Sequence, residues 1–175
     1  MLVEQCLNGD RSAYKTLYDR YSRAMYATAL RITGQGADAE DVLQDAFCDA
    51  FSRLNSMEKK GSFGSWLKQI VIFKSIAMLK SRRIIFEEIS EVDASEVEPV
   101  DEAEVTLTVE AIRSALFNLP TGYRTVLSLY LLEGYDQDEI AEILHLAPGT
   151  VRSQYKRGKE KLLQLMKSGK IHEQA

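Results

Sequence analysis

The chain has little of what metal binding or catalysis would need. Its 175 residues include two cysteines, Cys6 and Cys48, and two histidines, His145 and His172. Neither cysteine belongs to a CxxC pair, which argues against the common zinc frameworks. Cys48 lies in the amphipathic run DAFCDAF and is expected to pack against its neighbours as a small apolar residue. No phosphate-cradling glycine loop occurs, nor a nucleophile–base pair at a recognisable spacing. The reading is therefore a non-enzyme with no cofactor and no metal. Only three prolines interrupt the chain, so long helices are permitted. No apolar run approaches the roughly 20 residues of a membrane span. The opening MLVEQCLNGDRSAYKTLYDR lacks the apolar core of a signal peptide, and a cytoplasmic location is expected.

What the chain does have is charge sorted into blocks. The formal net charge is −4, but residues 1–83 hold 13 Lys/Arg against 9 Asp/Glu. Residues 84–112 hold no Lys/Arg and 10 Asp/Glu, and residues 113–175 hold 9 and 7. Two basic blocks separated by an acidic one suggest two nucleic-acid-facing modules joined by a self-repelling connector.

Apolar spacing is helical throughout. Tyr14, Leu17, Tyr18, Tyr21, Met25, Tyr26 and Leu30 form one stripe, which Gly34 and Gly36 break. Asp38 is expected to cap the next helix, with Asp41 in its first turn. That helix should bury Ala39, Val42, Leu43, Ala46, Phe47 and Ala50, leaving Glu40, Asp41, Gln44, Asp45 and Asp49 outward. A third helix over about 65–83 carries Trp66, Leu67, Ile70, Val71, Phe73, Ile76 and Leu79. EEISEVDASEVEPVDEAE (87–104) reads as a linker, extended when free. Further helices are expected near 107–118, 121–133, 137–144 and 148–167. No strand signal stands out, so the expected class is all-α: two small helical domains joined by an acidic flexible linker, the second containing a helix-turn-helix. The expected boundaries are 1–83, 84–107 and 108–175.

The segment DQDEIAEILHLAPGTVRSQYKRGKEKLLQLM (136–166) is the most specific. Asp136 and Glu139 have capping-box spacing, Ile140, Ala141, Ile143 and Leu144 form an apolar face, and Pro148 suits a first helical turn. Val151, Tyr155, Leu162 and Leu165 should be buried, with Gly158 beside them. The other faces then display Thr150, Arg152, Ser153, Gln154, Lys156, Arg157, Lys159 and Lys161. This is the pattern of a helix-turn-helix DNA reader. Residues near the helix start can reach base edges, and the later lysines can neutralise phosphate.

DAEDVLQDAF (38–47) with Trp66-Leu67 resembles the core domain of bacterial sigma factors, and residues 119–162 resemble their promoter-reading domain. The group most similar in size and order is the two-domain extracytoplasmic-function (ECF) type. The resemblance implies a promoter-specificity subunit that binds core RNA polymerase and starts transcription of a stress- or envelope-responsive regulon. Its partners would be the clamp helices of the largest polymerase subunit, the flap, promoter DNA and an anti-sigma factor. Polymerase would meet Glu40, Asp41, Gln44 and Asp45. The −10 element would meet Trp66, Phe73, Lys74, Lys80, Arg82 and Arg83, and the −35 element Thr150, Arg152, Ser153, Lys156 and Arg157.

On the residues alone other readings stand beside these. The acidic face of the second helix could be merely solvated, and Trp66 could be a core residue. The linker could be a plain solvated tether, where the resemblance implies a phosphate mimic within polymerase channels. A ligand-sensing helix-turn-helix regulator is the alternative function, although it has no need of DAEDVLQDAF or of a Trp-bearing basic helix. Phe73 and Ala77 depart from the family pattern, which usually has Asn and Asp there, and Lys80 replaces a common Arg. Promoter preference is where these departures bear.

Overall fold

The structure is a computed structural model that describes residues 2–57, 62–82 and 109–173. Arg83 and the acidic segment 84–107 lie outside the described residues. Those described form eight α-helices and one 3-10 turn, with no strand among them. The class is all-α, as the periodicity predicts. The chain divides into two units, Met1–Ile84 and Ile85–Ala175.

In the first unit, α1 (Leu2–Leu7), α2 (Arg11–Thr33), α3 (Gly36–Ser52) and α4 (Phe63–Ser81) surround one apolar core. The six residues of α1 are too few to show a period in the sequence. Tyr14 ties α1 down by donating its hydroxyl to the Cys6 carbonyl at 3.1 Å. Asp10 caps α2 by accepting from the Ser12 amide at 2.8 Å and its hydroxyl at 2.7 Å. These bonds stabilise the ionised form and hold the Asp10 carboxyl below its usual range. Gly34 ends α2 at φ 77°, and its N–H reaches the Leu30 carbonyl. Only glycine takes that left-handed position without strain.

The α3 residues expected to be buried are all buried: Ala39, Val42, Leu43, Ala46, Phe47 and Ala50. They meet Leu67 and Val71 of α4, which are also buried. Full burial of such aliphatic side chains contributes about 1.5–3 kcal/mol each. The start of α3 is different from the expected one. The helix begins at Gly36, Gln35 occupies the cap position without a side-chain bond, and Asp38 is buried in the first turn. Ser62 caps α4 instead, accepting from the Ser65 amide at 3.1 Å.

In the second unit, α5 (Val109–Phe117), α6 (Thr121–Leu131), α7 (Gln137–Leu144) and α8 (Pro148–Glu173) pack with α6 against each of the others. Leu116, Leu119, Tyr123, Leu127, Leu162 and Met166 are buried together. Leu165, expected in the core, is half-buried, and Met166 takes the deeper place. Gly158 lets α8 close on α6: a Cβ there would sit 3.1 Å from the Tyr123 Cβ and 3.2 Å from a Leu127 methyl. The Arg124 guanidinium is buried nearby, donating to the Leu119 carbonyl at 3.2 Å and the Thr121 hydroxyl at 3.3 Å.

Candidate nucleic-acid and protein interfaces

Five carboxylates lie along α3, which contains no lysine or arginine, and the fold sorts them. Asp38 is 2% exposed and receives the Arg82 guanidinium at 2.6 Å. Asp49 receives the Lys74 ammonium at 2.8 Å, which holds its carboxyl below the usual range. Glu40, Asp41 and Asp45 are exposed and pair with no described residue. With exposed Gln44 they form one outward acidic face. Cys48 also faces outward, one turn beyond Gln44, contrary to the expected packing role. The apolar need of that turn is met by Phe47, so position 48 falls on the solvent side.

The same pairings decide what α4 presents. Lys74 and Arg82, both expected to contact DNA, are engaged with α3 carboxylates. No local signal shows this, because Asp38 and Arg82 are 44 positions apart. Trp66 is partly buried, its ring edge-on to Phe63 at 6.2 Å. Phe73 is 53% exposed, Ala77 is exposed one turn later and Lys80 is half-buried.

In the second unit, α7 and α8 form the helix-turn-helix. The Asp136 carboxylate accepts from the Asp138 amide at 2.9 Å and the Glu139 amide at 2.8 Å. Glu139 returns a bond to the Asp136 amide at 2.8 Å, which completes the capping box expected at this spacing. The chain turns at His145, left-handed at φ 55°, and its amide and that of Leu146 close the end of α7. Along α8, Arg152, Ser153, Lys156 and Arg157 are exposed and Thr150 is half-buried. Arg152 lies 3.4 Å from Asp138 in a pair that is mostly solvated, and Lys156 and Arg157 pair with no described carboxylate.

Gln154 departs from the sequence reading, which placed it among the displayed residues. It is 5% exposed, and neither its amide nitrogen nor its oxygen has a hydrogen-bond partner among the described residues. Positions 151, 154, 158 and 162 share one side of α8 and are all buried. The amide lies against the first turn of α6, where a Cβ on Gly122 would be 3.4 Å from its nitrogen.

Known proteins place this architecture. The sequence pattern of Sigma-70 region 2 matches residues 17–84, and that of Sigma-70, region 4 matches 109–162. ECF RNA polymerase sigma factor SigW of Bacillus subtilis is 30% identical over 173 residues, covering 91% of this chain and 92% of that protein. The chain belongs to the ECF RNA polymerase sigma factors. The ECF sigma-E factor of Escherichia coli is 29% identical over 172 residues, covering 91% and 90% of the two chains. Two solved structures share the fold. One is the sigma factor RpoE in complex with the anti-sigma factor NepR from Bartonella quintana, with TM-score 0.54 and 23% identity, covering 88% of this chain and 96% of that one. The other is CnrH in complex with the cytosolic domain of CnrY, with TM-score 0.51 and 24% identity, covering 95% and 96%.

As a sigma factor the chain acts in promoter-specific transcription initiation, a DNA-binding role that fits a protein with no catalysis of its own. No described helix is long and apolar enough to cross a membrane.

Proposed function

We propose that this sigma factor grips the transcription machinery at two places. The outward face of α3, through Glu40, Asp41, Gln44 and Asp45, docks on the clamp helices of the largest subunit of core RNA polymerase. The α4 surface, with Trp66, Phe73, Lys74, Lys80 and Arg82, faces the −10 element as the strands open. The second unit meets the polymerase flap and reads the −35 element through Thr150, Arg152, Ser153, Lys156 and Arg157. The working division is 1–83 for polymerase and the −10 element, 84–107 for the linker and 108–175 for the −35 element. The protein acts in the cytoplasm on a stress- or envelope-responsive regulon.

The observation that carries this reading is the sorting of the α3 carboxylates. Two serve the fold and three are left facing outward without a cation, the arrangement of a surface kept for a basic partner. An anti-sigma factor is the second partner, since a relative of the same fold has been solved in complex with one.

The test is charge reversal on the docking face. Asp41→Lys should weaken association with core polymerase at least tenfold and cut run-off transcription in proportion, while binding of the free variant to promoter DNA is unchanged. Polymerase affinity equal to that of the unaltered protein would refute the face.

A further inference from the structure

Resting on the assignment of α4 to the opened promoter strand, we infer that the side chain that stacks on an unpaired base is Phe73, and that Trp66 serves the fold. The two aromatics sit two turns apart on α4, yet their surroundings differ. Trp66 ends a series of packed rings. It meets Phe63 edge-on at 6.2 Å, Phe63 stacks on Phe51 at 6.2 Å and 13°, and Phe51 meets Tyr14 at 5.0 Å. Removing Trp66 from that series would open the core beneath it.

Phe73 belongs to no such series. It makes no ring contact with any described aromatic, whereas Phe47, Phe51 and Phe63, the other described phenylalanines of this unit, all do. Its neighbours along the helix form a continuous apolar stripe. Trp66, Ile70, Phe73 and Ala77 follow at helical spacing, and Lys80 stands at the far end.

Charge decides what covers the stripe. The helix has no carboxylate, and while Lys74 is held by Asp49, Lys80 stands at the end of the stripe itself, so the stripe suits a polyanion with apolar faces. Unpaired DNA combines those properties, offering bases to an aromatic ring and phosphates to lysine. Stacking on phenylalanine involves no donor or acceptor. This chain therefore tolerates any base at the position Phe73 meets, selecting for an unstacked nucleotide more than for its identity.

The test uses the complete chain bound to core RNA polymerase. The probes are a duplex and the same DNA carrying a short unpaired bubble, with 2-aminopurine placed at each bubble position in turn. The unaltered holoenzyme should prefer the bubble and quench 2-aminopurine at one position. Phe73→Ala should abolish that quenching and weaken bubble binding by about tenfold, the size expected for one lost base–aromatic stack. Phe73→Trp should restore both. Exchanging the natural base at the quenched position should change affinity by less than about threefold.

Failure separates cleanly. If the unaltered holoenzyme shows no preference for the bubble, the assignment of α4 to opened DNA falls and takes the inference with it. If that preference survives Phe73→Ala undiminished, only the stacking role of Phe73 is overturned. A loss of affinity for core polymerase itself in Phe73→Ala would make Phe73 a protein contact and overturn it equally.

Discussion

In the first unit two of the five α3 carboxylates are answered by cations from the far half of α4 and its C-cap, whereas on α8 the charged side chains face solvent. Asp38 holds Arg82 and Asp49 holds Lys74, so the surface charge of the first unit is what remains after its helices have paired. The exposed cations of α8 are fixed by local chemistry, with a capping box before α7, a left-handed turn and a helix starting at a proline. The buried hydroxyls differ in the same sense. Thr33 and Ser75 of the first unit donate to the carbonyls of Ala29 and Val71, while Thr125 and Ser128 of the second have no partner among the described residues. Functional residues can thus be read along the helix in one unit and only across the core in the other.

The largest expected effect tests the solvent-facing side of this contrast. Replacing Arg152 and Arg157 together with alanine should weaken binding to promoter DNA by about a hundredfold, at about 1–3 kcal/mol for a lost base contact and less for a phosphate contact. The salt dependence of binding should flatten by about one unit of slope for each phosphate contact removed. Association with core polymerase should not change. A matching loss in both assays would show that the two units do not divide the work.

Next comes the internal pairing of the first unit. Arg82→Ala strips the cation from a buried carboxylate, and half-exposed Arg82 limits the loss to about 2 kcal/mol of stability in denaturant unfolding. Lys74→Ala removes a cation from an exposed carboxylate, where water takes over, and the unfolding midpoint should not move measurably. If the two variants unfold alike, burial of Asp38 is not what distinguishes them. Should Arg82→Ala be fully stable yet poor at opening DNA, Arg82 serves the −10 surface alone and not the fold.

The helices were legible in the sequence wherever one face of a long element is apolar. Six of the seven buried positions of α3 follow from spacing alone, and the capping box of α7 from two residues three apart. What stayed hidden depends on distant partners or short elements. Asp38 looks like a cap because aspartate favours that position, and its true role needs Arg82 brought close by α4. Cys48 looks like core because its run is amphipathic, but Phe47 fills that place. Of the residues expected to touch polymerase and DNA, those described lie on α3, on α4 or at its C-cap, and on α8. Which cations on α4 already have a carboxylate was invisible until the helices packed.

Gln154 gives the smallest effect and the sharpest contrast between reading DNA and supporting the helix that does. Both its polar atoms are buried without a partner among the described residues, and such groups lose their hydration without compensation. Methionine has a similar length and flexibility and carries no amide. Gln154→Met should therefore stabilise the protein by about 1 kcal/mol, raising the melting temperature by a few degrees. Promoter affinity should be unchanged, because position 154 shares the inner side of α8 with Val151 and Gly158. If stability rises but affinity falls, the side chain must leave the core to meet DNA, and α8 would then read bases with a residue the free protein keeps inside.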